Sequence, residues 1–520
     1  MSTAPHGTPP GDASVAGPRT GDLPDRLGWA AVLLLTLGLL LTWAPSMANG
    51  LGDNHEGRIL ARHALNVANA ERDGLAASGW LSDWSPYVGD GGEQTSYAHH
   101  PPLLNLGYYA TARLLPVERD TAMRLFAYLV GAAMLPIGAA VLRRLGTGWP
   151  ATLIATVLVA VTPLFWVYGR LHGNVTLALA AVLVVARLRE QRRIGHGELV
   201  LAVVVVSASI VAGYLGMAIA ALLGLWLLAR RGIDTVTVTL GLAMVVAAAV
   251  SVGYVLTGTG AARVGEQVQL RTGGGEFSAA EFLERIRTWL TSLLPGWWRW
   301  LVVPAAVVAG LATRRTRGLT LLLWLVAVAY VVGLPNGAFI HDYWVFPVLL
   351  PLWIGAAAAV EACSRWLRER MGPGGSLGRP PPAPPGPPGR TGAWTGVTLA
   401  LVLALGAVSG LRSEIPSRYI TGPEQAGTLV REIGPSPAQT TAWRGPGIPA
   451  PRWLSYYWQL PPGEIDPAAL EELDGQDRVL VRLERLERLE DSATGTTEVV
   501  GRSGGYAVVT VDQLRDAAPN

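Results

Sequence analysis

The stretches LGDNHEGRILARHALNVA, residues 51–68, and YAHHPPLLNLGYYA, residues 97–110, belong to a long polar segment between two strongly apolar ones. This segment, the first outer loop, spans residues 49–120 and contains four histidines: His55, His63, His99 and His100. Loops that a rigid scaffold holds in place carry function more often than the scaffold does. The candidate chemistry of this chain is therefore to be sought first in this loop.

The composition is that of a membrane protein. Of the 520 residues, 50% are hydrophobic and 15% are charged, whereas about a quarter of the residues of soluble domains are charged. The net charge of +3 is small for this length and does not indicate a nucleic-acid partner. The only cysteine, Cys363, excludes an intrachain disulfide.

Apolar runs predict an all-α polytopic bundle of about eleven spans, since a span needs about 20 apolar residues. The predicted spans are 27–44, 121–142, 149–168, 173–188, 198–213, 215–229, 233–256, 298–313, 318–334, 342–362 and 393–411. The short pair 198–213 and 215–229 is either two half-length helices or one re-entrant element. Residues 1–26 are predicted to be a disordered cytoplasmic N-terminus, and the first span to be a retained anchor.

Arginine clusters fall in alternate connections between these spans, and positive clusters face the cytoplasm. This pattern predicts a cytoplasmic N-terminus. It places residues 49–120, 169–173, 257–297 and 335–341 outside, together with everything after residue 411. An arginine-rich chain without lysine indicates a bacterium, so the expected location is the bacterial plasma membrane.

Two further regions follow the bundle. Residues 366–392 form a predicted cytoplasmic linker whose Pro-rich part, 379–388, is a polyproline II spacer or a docking motif. Residues 412–520, the C-terminal module, show alternating helical and strand patterns typical of a small extracytoplasmic α/β layer. Its predicted helices are 424–433 and 484–491, its predicted strands are 438–443, 478–483 and 507–511, and a turn is predicted at 501–505.

Three amphipathic helices are predicted at the outer membrane surface. The first follows Asp53 and the second begins at Pro102. The third begins at Ser278, where Ser278 and Glu281 have capping-box spacing. These helices either cap the bundle or roof a cavity that opens to lipid and to the outside.

Several short motifs within residues 27–365 resemble the GT-C membrane glycosyltransferases, in the branch of the protein O-mannosyltransferases and the lipid A aminoarabinose transferase. Asp53-Asn54-His55-Glu56 matches an acidic position just after the first span. His99-His100-Pro101-Pro102-Leu103 matches a Lys-Pro-Pro-Leu-like motif, with His100 where the family often has Lys. In the segment 168–174, Arg170 matches a family arginine, and Asn174 replaces an Asp. His341-Asp342-Tyr343-Trp344 is similar to the polar entry of a late span.

The resemblance implies a sugar donor linked to polyprenyl phosphate, membrane lipid around it, and an acceptor that is a protein, a lipid or a polysaccharide. An acceptor hydroxyl would attack the anomeric carbon in one inverting displacement, which needs a base for the hydroxyl and positive charge for the phosphate. Asp53 is the predicted base, and its alternative role is to cap the next helix. Glu56 is the second catalytic candidate, and either orients Asp53, binds a cation or lies on a solvated helix surface.

The remaining site candidates divide by role. Donor phosphate binding is predicted for His99, His100, Arg170 and His341, with interfacial snorkelling as the alternative for Arg170. Acceptor binding or support is predicted for His55, Tyr97, Asn174, Asp342 and Tyr343. A divalent cation such as Zn²⁺ or Mn²⁺ is an additional candidate, held by Glu56 and His99.

Two other functions fit parts of the pattern. A transporter or flippase would place ionisable residues inside the spans, whereas the predicted spans of this chain are nearly free of them at their centres. A structural scaffold would explain the C-terminal module but not the dense polar chemistry of the first outer loop.

Overall fold

The computed structural model describes residues 22–52, 54–85, 100–191, 193–273, 277–294, 296, 298–371, 426–436, 438–445, 452–465, 467–492 and 498–517. Up to residue 371 the described chain is helical. Its α-helices are α1 (Asp22–Trp43), α2 (His55–Asp73), α3 (Leu103–Leu114), α4 (Arg119–Ala132), α5 (Met134–Arg144), α6 (Trp149–Ala160), α7 (Pro163–Tyr168), α8 (Gly173–Glu190), α9 (His196–Ala212), α10 (Tyr214–Arg231), α11 (Thr235–Thr259), α12 (Ala261–Thr272), α13 (Ala279–Leu293), α14 (Val303–Ala312), α15 (Arg317–Val332), α16 (Pro335–Ile340) and α17 (Leu349–Met371). Short 3₁₀ segments cover Ala44–Ala48 and Asp342–Val348, and a short π-helix covers Trp298–Val302.

Ten of the eleven predicted spans coincide with these helices, and the eleventh, 393–411, lies outside the described residues. Five described segments are long and apolar enough to cross a membrane: Pro24–Ala48, Arg119–Arg144, Tyr214–Arg231, Thr235–Thr259 and Asp342–Leu367. The prediction of a mostly helical membrane protein with several apolar helices is therefore confirmed. The predicted Pro-rich tract and the predicted N-terminal tail also lie outside the described residues.

Prolines interrupt two of the predicted spans. The span predicted over 149–168 breaks before Pro163, which opens α7. The span over 121–142 breaks at Ala133, three residues before Pro136. Because proline lacks the N–H of a continuous helix and clashes with the preceding turn, each break falls where a helical hydrogen bond would be lost.

The segment around Gly213 is a helical hairpin. Helices α9 and α10 meet at this glycine and both pack against α8. A Cβ on Gly216 would overlap the Ser209 carbonyl oxygen, so the two helices approach backbone to backbone beside the turn. The structure thus has two separate helices of 17 and 18 residues in place of one re-entrant element, and the second is not half-length, since Tyr214–Arg231 is long and apolar enough to cross a membrane.

Side-chain caps fix the starts of two helices that lie between predicted spans. The Asn54 side chain accepts a hydrogen bond of 2.6 Å from the Gly57 N–H at the start of α2. The capping box predicted at Ser278 and Glu281 opens α13. Helix α12, by contrast, was not predicted and lies within the predicted loop 257–297.

The described part of the C-terminal module contains a five-stranded sheet. Its helices are α18 (Ala426–Ile433), α19 (Arg452–Trp458), α20 (Leu483–Ser492) and α21 (Val511–Ala517), and its strands are β1 (Ala442–Arg444), β2 (Pro462–Glu464), β3 (Arg478–Arg482), β4 (Gly501–Ser503) and β5 (Tyr506–Thr510). The strand order is β2-β1-β3-β5-β4, with β2, β1 and β3 parallel and β5 antiparallel to both β3 and β4. The predicted turn at 501–505 is in part strand β4.

Candidate active site

A cavity of about 770 Å³ lies beneath the first outer loop. Helices α2, α3 and α12 contribute to its walls, together with the turn before α8 and the segment 341–347. Its polar lining consists of His55, Arg58, Arg62, His63, Asn66, His100, Asn105, Tyr108, His172, Asn174, Arg263, Glu266, Gln267, Arg271, Tyr330, His341 and Tyr343. Two of the three predicted surface helices, α2 and α3, thus line a cavity.

Helix α2 lies between the cavity and the helical core. The side chains that face the cavity recur every three or four residues, and they are His55, Arg58, Ile59, Arg62, His63 and Asn66. Leu60, Ala64 and Val67 lie on the other side and are buried. This division follows from the 3.6-residue period of the helix.

The cavity is electropositive. In the part of the chain that the structure describes, the guanidinium groups of Arg58, Arg62, Arg263 and Arg271 line it with a single carboxylate, that of Glu266. Arginine keeps its charge at any physiological pH, and its planar donors match phosphate oxygens in pairs. An anionic ligand is therefore the class that this lining favours.

The histidines add neutral hydrogen-bonding groups to this charge. Burial lowers the pKa of His55 and of His63 to about 4. Burial also lowers the pKa of His100 to about 3. At neutral pH each of these imidazoles is uncharged and presents one donor and one acceptor.

The predicted motifs at His55 and at His341 meet around the Tyr343 ring. The ring centroid of Tyr343 lies 5.1 Å from that of His341, 5.3 Å from that of His172 and 6.3 Å from that of His55. Beside them the Tyr168 hydroxyl donates a hydrogen bond to the Asp342 carboxylate. Segments that are far apart in the chain thus form one wall of the cavity.

Glu56 lies on the buried side of α2 and is fully inaccessible to solvent. Its carboxylate accepts a hydrogen bond of 2.6 Å from the Tyr128 hydroxyl. It also lies 3.6 Å from the Arg124 guanidinium and 3.6 Å from that of Arg170. The alternative that Glu56 is solvated helix surface is wrong, because the helix packs this face against α4 and the α7–α8 turn.

Arg170 is buried with Glu56 and does not line the cavity. Its guanidinium lies over the rings of Trp43 and Tyr128, at 5.8 Å and 5.6 Å. Interfacial snorkelling would need a charged end in contact with water, and Arg170 is 1% exposed. That alternative is therefore wrong for this residue.

The predicted site residues fall into three groups. The cavity lining contains His55, His100, Asn174, His341 and Tyr343. Glu56, Arg170 and Asp342 lie behind it. Asp53, Tyr97 and His99 lie outside the described residues. The N-cap of α2 is Asn54.

The predicted metal ligands do not fit a metal site as far as the structure describes them. Two arginines and a tyrosine engage the Glu56 carboxylate, where a cation would meet like charge. Over the described ranges, no cluster of three or more His, Cys, Asp or Glu side chains could hold a metal ion.

Sequence reasoning missed the arginines of the lining. No site role was predicted for Arg58 or Arg62, and α12, which supplies Arg263 and Arg271, was not predicted. A signal for α12 was present, because the cavity-lining residues Arg263, Gln267, Leu270 and Arg271 recur at helical spacing.

Comparison with known proteins gives the fold. No family model and no curated protein matches the chain. The structure of ArnT from Cupriavidus metallidurans in the apo state superposes with a TM-score of 0.55 at 16% identity, over 95% of this chain and 100% of that one. The structure of the same enzyme bound to undecaprenyl phosphate gives 0.54 at 17% identity, over 95% and 99%.

A second enzyme shows the same likeness. The oligosaccharyltransferase AglB from Archaeoglobus fulgidus, in complex with an inhibitory peptide and a dolichol-phosphate, gives a TM-score of 0.50 at 12% identity, over 88% of this chain and 70% of that one. ArnT and AglB are both GT-C enzymes. The resemblance predicted from the sequence is confirmed: the chain has the GT-C fold.

Proposed function

We propose that this protein is a membrane glycosyltransferase that moves a sugar from a polyprenyl-phosphate donor to an acceptor hydroxyl on the outer face of the membrane. One observation carries the proposal: an electropositive cavity, lined by four arginines and five histidines, lies under the first outer loop of a GT-C fold. The ArnT structure with bound undecaprenyl phosphate supports a lipid phosphate as the ligand class.

The lining suits a ligand that has both a charged head and a greasy tail. Beside the guanidinium groups, the cavity has apolar side chains, among them Ile59, Leu104, Leu215 and Phe346. We assign the phosphate to Arg58, Arg62 and Arg271, with neutral imidazole donors from His100 and His341 completing its hydrogen bonds. Asn174 and Tyr343 are left to contact the sugar or the acceptor.

The proposed reaction is a single displacement with inversion. The acceptor oxygen forms a bond to the anomeric carbon, the bond from that carbon to the phosphate oxygen breaks, and polyprenyl phosphate leaves. The hydroxyl proton passes to the Asp53 carboxylate, and the guanidinium groups stabilise the charge that develops on the leaving phosphate. Support for Asp53 comes from His55, two residues along the chain, which lines the cavity.

Glu56 and Arg170 are proposed as positioning residues. The Glu56 carboxylate is engaged by Tyr128, Arg124 and Arg170, and neither Glu56 nor Arg170 lines the cavity. Their contribution is to hold α2, and with it the cavity wall, against the membrane helices.

The test uses purified protein in lipid nanodiscs and a panel of undecaprenyl-phosphate sugars that carry a tritium label. We expect transfer or release of label from one member of the panel, and loss of this activity in Asp53→Asn. Asp73→Asn is the matched control, because Asp73 is an exposed carboxylate of the same loop. The control should keep full activity.

Two outcomes would overturn the proposal. The first is equal binding of undecaprenyl phosphate and uncharged undecaprenol, measured by native mass spectrometry, since the cavity would then not recognise phosphate. The second is uptake of label into proteoliposomes without any transfer, which would support the alternative of a transporter or flippase.

A further inference from the structure

The C-terminal module binds directly to the chain segment that leads into the first outer loop. This segment, residues 48–51, joins the first span to α2 and precedes Asp53 by two residues. The Gly50 N–H donates a hydrogen bond of 2.9 Å to the Thr428 hydroxyl, and the Leu51 N–H donates one of 2.5 Å to the Tyr457 hydroxyl. The Arg431 guanidinium donates one of 2.8 Å to the Ala48 carbonyl.

The opposite side of the segment is held by the membrane helices. Arg124 of α4 donates hydrogen bonds to the carbonyl oxygens of Asn49 and Gly50. These backbone N–H and C=O groups of residues 48–51 thus form hydrogen bonds with side chains. In most segments such groups pair within a helix or a sheet. The position of the segment therefore depends on partners from two distant parts of the chain.

Two glycines bring the backbones of the module and the segment together. A Cβ on Gly427 would overlap the Leu51 carbonyl oxygen. A Cβ on Gly50 would lie 2.5 Å from the backbone of Gly427. No larger residue fits at either position without separating the two parts, so the contact is close and specific.

Tyr457 is the centre of this contact. Besides accepting from Leu51, its hydroxyl donates a hydrogen bond of 2.7 Å to Asp120, which is 3% exposed and lies in the first turn of α4. Arg431 lies 3.4 Å from the same carboxylate and 3.0 Å from that of Glu118. Burial raises the pKa of the Tyr457 phenol, so the hydroxyl stays protonated and remains a donor.

The module also contacts the wall of the cavity. The Arg452 guanidinium lies 3.7 Å from the ring centroid of Trp84, a residue of the cavity lining, and Arg62 lies 5.1 Å from the same centroid. Helix α19, which carries Arg452 and Tyr457, packs along α2. The module therefore contacts the segment before α2, the helix α2 itself and a residue of the cavity lining.

We infer that the C-terminal module is a positioning element for the active site: Tyr457, Thr428 and Arg431 fix residues 48–51 and thereby the cavity-facing side of α2. The catalytic consequence rests on the proposed function. The contact of Tyr457, Thr428 and Arg431 with residues 48–51, called the clamp below, does not rest on it, because these contacts can be measured without any activity. Tyr457 is a positioning residue, since it acts through the segment and not on the substrate.

The first test measures hydrogen exchange in nanodiscs at the Gly50 and Leu51 amides. Tyr457→Phe keeps the ring and removes the hydroxyl, and Gly427→Ala forces the module away from the segment. We expect the Leu51 amide to exchange about tenfold faster in Tyr457→Phe, the effect of losing one net hydrogen bond. Gly427→Ala should accelerate exchange at both amides.

The matched control is Val509→Ala. Val509 is fully buried in β5, in a separate core cluster of the sheet with Val479 and Val481, so its truncation loosens the module without touching the segment. Exchange at Leu51 should be the same in this variant as in wild type. Equal exchange at Leu51 in all three variants would overturn the clamp.

The second test measures kcat and KM for the labelled donor and its acceptor. A misplaced α2 would lower kcat in Tyr457→Phe by about tenfold, and Val509→Ala would leave kcat unchanged. Faster exchange at Leu51 with an unaltered kcat would overturn the positioning role. If wild type itself transfers no sugar but Tyr457→Phe accelerates Leu51 exchange, the proposed function fails and the clamp stands.

Discussion

The Tyr128 hydroxyl donates a hydrogen bond of 2.6 Å to the Glu56 carboxylate at a place where neither side chain is exposed. Tyr128 belongs to α4, a membrane helix, and Glu56 to the first turn of α2 in the first outer loop. Two arginines, Arg124 and Arg170, neutralise the carboxylate from either side. This buried group is a polar link between the cavity-forming helix and the bundle.

Glu56→Gln should destabilise the protein strongly. It leaves two buried guanidinium groups without their counter-charge, which costs about 3–5 kcal/mol. Tyr128→Phe removes one hydrogen bond and should cost about 1–2 kcal/mol. Both losses of stability are measured as free energies of unfolding, by denaturant titration in detergent micelles.

The control is Glu284→Gln, in an exposed ion pair with Arg287, which should cost under about 0.5 kcal/mol. An equally small effect of Glu56→Gln would contradict a structural role for this ion-pair network.

Arg271→Gln should weaken binding of undecaprenyl phosphate. The variant removes one guanidinium from the cavity lining, and a charge-assisted hydrogen bond is worth about 1.5–3 kcal/mol, or roughly a 10- to 100-fold loss of affinity. Binding is measured by native mass spectrometry against a lipid titration, with uncharged undecaprenol expected to show no change. Arg287→Gln, exposed on α13, is the control. Equal losses in both variants would indicate a general surface-charge effect instead of a phosphate site.

Stability should fall between about pH 6.5 and pH 4. Burial holds the folded-state pKa of His55 and His63 at about 4, whereas the unfolded value is about 6.5. In this window the unfolded chain binds more protons, so stability is complete above about pH 6.5 and is lost as the pH drops. His63→Gln should reduce the loss between pH 7.5 and pH 5 by on the order of 1–2 kcal/mol. Unfolding free energies at the two pH values check this, with the exposed His196→Gln as a control that should behave as wild type.

Gly216→Ala should separate the α9–α10 hairpin. Its Cβ would overlap the Ser209 carbonyl, and strain of this kind costs about 1–3 kcal/mol. The melting temperature in nanodiscs should fall. Gly241→Ala in α11, where nothing lies within 4 Å of an added Cβ, should leave it unchanged or slightly raised. A melting temperature lowered by Gly241→Ala as much as by Gly216→Ala would show that the two helices do not need this close approach.

The predictions about helices and strands depend on local information, and most of them agree with the structure. The apolar runs predicted ten segments that are helical in the structure. The Ser278–Glu281 spacing predicted a capping box that is present, and the strands predicted at 478–483 and 507–511 are the adjacent strands β3 and β5. The predictions that failed are those where individual residues oppose the surrounding pattern of the sequence. Pro163 divides the span that hydropathy joined over 149–168. Helix α12 was read as part of a loop because charged and polar side chains interrupt its few apolar positions.

The sequence by itself determined the class of the protein, because span length and helix caps depend on residues that are near one another in the chain. Only the tertiary structure decided which polar side chains meet. Arg170 and Glu56 were expected at the site and lie behind it, while Arg58, Arg62 and Arg271 line the cavity. Whether a charge is buried against its counter-charge or turned towards a cavity depends on the neighbour that packs there. That neighbour comes from a distant part of the chain, as Tyr128 does for Glu56 and Tyr457 for Leu51.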